Sequence, residues 1–169
     1  MNVKRMAAIG MIAALYAGLT LVLAPISYGP IQVRISEMLT MLPLFYSPAV
    51  WGVTLGCFIS NLVGVFLGVN LLGVYDIFIG TIATLLAALI TLKCKEFKIA
   101  NIPWISILAP IVMNGLFVGA ELAYVMMPDT FLQGFVINGL QVALGEAIAV
   151  IVLYPLVKII AKRIPFEKY

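Results

Sequence analysis

Residues 24–37 read A-P-I-S-Y-G-P-I-Q-V-R-I-S-E and interrupt a chain that is otherwise built from long apolar runs. Two prolines and a glycine within six residues break any helix. Arg34 and Glu37 then follow three residues apart. A polar, proline-broken loop between apolar runs is expected to act as a lid or a binding element.

The surrounding composition selects the class. Of 169 residues, 64% are hydrophobic and 10% are charged, whereas a soluble domain carries about 25% charged residues. The apolar residues come in blocks of about 20, the helical crossing length, without the period-two alternation of a membrane barrel. An all-α integral membrane protein with a single transmembrane domain over residues 1–169 is therefore expected. Six helical segments fit, at about 6–24, 36–46, 48–69, 75–92, 103–126 and 131–162. The second is too short to cross comfortably and holds Pro43; the sixth is too long for one crossing and holds Pro155. The first run follows Met1–Arg5 directly, but its apolar core exceeds that of a secretory signal and more membrane follows, so it is read as a retained span.

Nine of the ten basic residues form three clusters. Lys4 and Arg5 precede the first span; Lys93, Lys95 and Lys98 separate the fourth and fifth; Lys158, Lys162, Arg163 and Lys168 close the chain. Six crossings put all three clusters on one side, which the positive-inside rule makes cytoplasmic. The expected topology is N-in, C-in, with Arg34 as the exception on the outer side. Glu37, Asp76, Glu121 and Asp129 then occupy the outer half, Glu121 about two turns, or roughly 10 Å, inside the end of the fifth helix. Glu146 lies near or past the midplane, while Glu96 and Glu167 sit among cytoplasmic lysines.

An ionisable side chain inside a span marks a functional site by default. Glu121 shares a face with Asn114; Asn138, Gln141 and Gly145 share another; Asp76 lies with Gly80, beside Tyr75 and Asn70. Together these faces suggest an outward-facing, acid-rich cavity under the loop that carries Arg34 and Glu37. Bland readings stand beside this one. Asp76 suits a helix N-terminus, Asp129 suits a turn, the amides suit interhelical hydrogen bonds, and Arg34 suits a pair with Glu37. Glu146 is open between a substrate contact, a proton site and a partner for a hydroxyl.

Small residues recur every fourth position in the first helix (Gly10, Ala14, Gly18, beside Ala13 and Ala17) and in the third (Gly52, Gly56, Ser60, Gly64, Gly68). Such ridges let helices approach closely, with a partner protein as an alternative for the first helix. Histidine is absent, and Cys57 and Cys94 have no metal-ligand or CxxC spacing, so no metal or cofactor is expected. No phosphate-binding glycine motif and no nucleophile–base pair is present. Neither an enzyme nor a nucleic-acid binder is expected. Active transport by this chain would draw on an ion gradient or on a borrowed ATPase.

The run A-P-I-S-Y-G-P-I-Q-V-R-I-S-E-M-L-T-M-L-P resembles the QueT family, substrate-binding S components of energy-coupling factor (ECF) transporters for queuosine precursors. N-x-x-G-V-Y-D over residues 70–76 and the pair Gly145 and Glu146 support the resemblance. It implies the six-helix S-component fold in a prokaryotic plasma membrane, with a small-molecule substrate captured from outside under the lid. It also implies docking on a coupling transmembrane protein with two ABC ATPases, and an A-x-x-x-A docking motif that Ala13 and Ala17 match, flanked by Gly10 and Ala14. The implied ligand is a 7-deazaguanine: preQ1, preQ0 or queuine. Its paired donors suit a carboxylate, on which basis Glu121 or Asp76 meets the donor edge and Asn138 or Gln141 the carbonyl. Tyr75, or Tyr28 from the lid, would stack on the ring. The competing readings are an S component for another vitamin or base, and a stand-alone carrier driven by protons through Glu121 or Glu146.

Overall fold

A computed structural model describes residues 3–29 and 31–163. The expected positions Glu167 and Lys168, and Pro30 within the loop, lie outside the described residues. The chain runs α1 (Val3–Val22), a single turn α2 (Ala24–Ser27), a 3₁₀ helix η1 (Ile35–Leu44), α3 (Ala49–Phe66), α4 (Val74–Lys93), α5 (Trp104–Met126), a 3₁₀ turn (Pro128–Thr130) and α6 (Phe131–Arg163). Among the described residues, five helices are long and apolar enough to cross a membrane. The protein is an all-α, multi-pass membrane protein, as composition and block length require. α6 continues as helix through Pro155.

Glycines fix the register. A Cβ on Gly52 or Gly56 would lie 2.8 Å from Ile12 Cβ or from the Ala13 carbonyl, so α3 runs parallel to α1 at backbone contact. A Cβ on Gly119 would lie 2.5 Å from Gly139 Cα, and one on Gly115 3.2 Å from Ala143 Cβ, so α5 and α6 run antiparallel. These are the close approaches that small-residue ridges permit. The bundle thus has a base, where α1, α3 and α5 begin and α4 and α6 end, and an opposite crown.

Burial is inverted relative to a soluble protein. Met11, Leu15, Leu55, Phe78, Leu140 and Val152 are exposed, while Arg34, Glu37, Asp76, Asn114 and Glu146 are buried. Lipid is the solvent for the first set; the second requires protein partners. The base half is dry. There Ala8, Met38, Met41, Leu42, Val50, Val53, Ala88, Ile107, Val150 and Val157 form a continuous apolar core. The buried acids all lie on the crown side of it.

η1 corrects the expected second α-helix. It is wound as a 3₁₀ helix, with Glu37 N–H donating to the Arg34 carbonyl (2.9 Å) and Phe45 N–H to the Leu42 carbonyl (2.9 Å). Pro43 has no N–H and its ring crowds the fourth carbonyl back, which disfavours the α form. The Thr40 hydroxyl takes the Glu37 carbonyl at 2.6 Å. At about 2.0 Å rise, ten residues extend roughly 20 Å, against about 15 Å for an α-helix. The segment judged short for a crossing is stretched by a third. It touches every one of the five long helices, and Ser36 through Pro43 are all buried. Three residues per turn also place Arg34, Glu37 and Thr40 along one edge.

Candidate functional site

In the crown the loop is clamped onto α4. Arg34 Nη2 donates to Asp76 Oδ2 at 2.6 Å, with both side chains buried. Asn70 Nδ2 donates to the same oxygen at 2.9 Å, while Asn70 Oδ1 accepts the Leu72 N–H at 3.1 Å. Gly73 turns the chain between them with φ of 64°, a conformation glycine adopts without strain. The N-x-x-G-V-Y-D stretch is thus a turn that holds a carboxylate inward for Arg34. The Arg34–Glu37 pairing considered from sequence does not form; each finds a different partner.

Further contacts hold the loop down. Arg34 Nε donates to the Ser27 carbonyl at 3.3 Å, and its guanidinium lies 5.2 Å from the Tyr28 ring centre. Tyr28 Oη donates to the Ser60 carbonyl at 2.6 Å, and burial pushes this phenol up to about 12, so it stays a donor. Gly64 makes room, since a Cβ there would come within 2.8 Å of Tyr28 Oη. The Ile31 and Gln32 carbonyls press on Gly145 of α6, where any Cβ would collide with both. Gly145 lies 14 residues into α6, about 21 Å along it. The loop is therefore a deep insert as well as a cover.

Beneath it the buried polar groups form two tiers, set by the α5–α6 register. The outer tier holds Glu121, opposite Asn138, within electrostatic reach of Asp76 and Arg34. The inner tier holds Asn114 and Glu146 with Glu37. Tyr16 Oη and Thr84 Oγ1 both donate to Glu37 Oε1, the latter at 2.9 Å. The Asn114 amide approaches Glu37 without closing a hydrogen bond, and Glu146 lies within electrostatic reach of Glu37. Among the described residues the buried charges are four acids and Arg34. Both oxygens of Glu121, both polar atoms of Asn114, Asn138 Nδ2, Glu37 Oε2, Glu146 Oε2 and Asp76 Oδ1 have no hydrogen-bond partner. Buried polar atoms are normally satisfied. Such a concentration of unpartnered donors and acceptors marks the candidate site.

The remaining sequence-predicted residues divide. Gln141 is half-buried. Tyr75 is exposed on the outside of the bundle, edge-on to Tyr124 at 6.0 Å between centroids. It lines a groove of about 520 Å³ between α4 and α5, with Glu121 also in its wall. Tyr28 is occupied by Ser60 and Arg34. Ala13 and Ala17 are buried, Ala13 at backbone contact with Gly56, while Gly10, Ala14 and Gly18 face outward, with open space at both glycines. Sequence reasoning missed Tyr16, Thr84 and Asn61, which donate to Glu37, Glu37 and the Asp76 carbonyl. Their one legible signal was a hydroxyl or amide in mid-span.

A family model described as QueT transporter matches residues 6–162. Among curated proteins, "Queuosine precursor transporter QueT" of Lactococcus lactis subsp. cremoris (strain MG1363) is 51% identical over 55 residues, 31% of this chain and 32% of that protein's length. The chain thus matches about a third of that relative. No solved structure matches the chain significantly.

Proposed function

This chain belongs to the QueT transporter family, and on that premise we propose that it is the substrate-binding S subunit of an ECF-type importer for a 7-deazaguanine precursor of queuosine. It is a transport protein of the cell membrane and not an enzyme. The two tiers of unpartnered acids and amides carry the reading. A guanine-like edge presents N1–H and an exocyclic amine as parallel donors, which one carboxylate accepts together. Glu121, free at both oxygens, takes that edge in our reading, and Asn138 donates to the carbonyl. Arg34 holds the loop over the crown, which faces the outside.

Delivery inward is assigned to partners: a coupling transmembrane protein and two ABC ATPases. The dry base supports this division, because an apolar core separates the two tiers from the basic clusters. Isothermal titration without ATP tests the binding step. A 7-deazaguanine is expected to bind the purified chain, and Glu121→Gln to weaken it by about 1.5 kcal/mol or more through loss of charge-assisted bonds. Absence of binding by the aminomethyl, cyano and queuine forms alike would overturn the ligand class. An unchanged affinity in Glu121→Gln would remove that residue from the site.

A further inference from the structure

The inner tier is chemically distinct from the outer one, and this inference rests on the transport reading above. Seven residues separate Asn114 from Glu121, two turns or about 10 Å of α5. The outer tier already has a cation, Arg34, on Asp76. In the inner tier two buried acids, Glu37 and Glu146, are within electrostatic reach of each other, and among the described residues neither forms an ion pair. Tyr16 and Thr84 saturate Glu37 Oε1 and hold that carboxylate in one orientation, with Oε2 left over. Glu146 Oε2 and Asn114 Oδ1 are the other unpartnered inner acceptors, all on residues at most 1% exposed. A primary ammonium brings three N–H donors and one positive charge. Its donor number equals the acceptor number, and its charge complements a pair of acids.

We propose that Glu37, Glu146 and Asn114 form an ammonium subsite that binds the cationic arm of the substrate, deeper than the base. The ligand class becomes a flat bicycle with a protonated aminomethyl arm, lying along α5 with its arm toward the base of the bundle. Substrates with a neutral substituent at that position fill the outer tier alone. The inner acids are therefore specificity determinants, and Tyr16 and Thr84 are positioning residues for Glu37.

Calorimetric titration of the purified full chain with the aminomethyl and cyano forms of 7-deazaguanine tests this, because the two differ at one arm. The amine is expected to bind roughly tenfold tighter or more, the scale of one charge-assisted hydrogen bond. Glu37→Gln and Glu146→Gln are each expected to shrink that preference several-fold, as is Asn114→Leu, which keeps every carboxylate. Retained nitrile binding in each variant reports an intact site. Glu121→Gln is expected to weaken both compounds alike. Equal affinity of the intact chain for both compounds would overturn the subsite while leaving the transport reading standing. So would a preference that survives in all three inner variants, as it would if the two acids merely shared a proton. Failure of every 7-deazaguanine to bind would overturn both.

Discussion

Arg34 is the only cation among the described buried residues, and it serves three neighbours at once: Asp76, the Ser27 carbonyl and the Tyr28 ring. Removing one partner of a buried pair leaves an uncompensated charge, at a cost of about 3–5 kcal/mol. Arg34→Met is therefore expected to lower the unfolding midpoint in detergent markedly, and Arg34→Met with Asp76→Asn to recover part of the loss. A single variant as stable as the parent would show that the clamp carries no stability. The pairing itself was not legible. Arg34 and Asp76 are 42 residues apart, and helical spacing pointed to Glu37 because it assumed an α-helix there. What was legible was the anomaly: a basic residue on the side where the charge pattern allows none.

At the scale of elements, η1 was found in the right place with the wrong winding. Boundaries expected at 36–46 compare with Ile35–Leu44, since apolar run length and flanking breakers survive a change of pitch. The winding depends on Pro43 and on burial against five helices, and only the first of these can be read from one strand of text. Gly145 is the seat of the loop that leads into η1. Gly145→Ala is expected to lift residues 31–32 off α6 and to weaken ligand binding at least several-fold, while Gly10→Ala, with open space around it, leaves binding unchanged. Titration of both variants checks this; parity between them would separate the loop's seat from the site. Tyr75 shows the opposite failure. Its neighbour Asp76 faces in, so at 100° per residue it was bound to face elsewhere, a consequence that grouping them by proximity had hidden.

For the molecule as a whole, block length carried most of the information, and the interior carried least. Five long helices and a buried short one follow from where the apolar runs start and stop. The tiers depend on Gly115, Gly119 and Gly139 setting one antiparallel register, which no periodicity reveals. The orientation is testable. In a variant lacking Cys57 and Cys94, a cysteine replacing Asp129 is expected to react with an impermeant maleimide added outside intact cells, and one replacing Lys98 only after permeabilisation. The reverse pattern would invert the bundle and with it the direction of capture.

The dry base has a consequence for how uptake is counted. With apolar packing from Ala8 to Val157 filling one end, the site proposed above is a vessel with a single mouth at the crown. Such a vessel fills and empties through the same opening, so by itself it obeys a stoichiometry rather than a rate. Vesicles carrying this chain alone are expected to retain no more than one labelled ligand per outward-facing copy, however long they are incubated and whatever gradient is imposed. A signal that keeps climbing past that ceiling would mean the base opens unaided, and the chain would be a carrier in its own right.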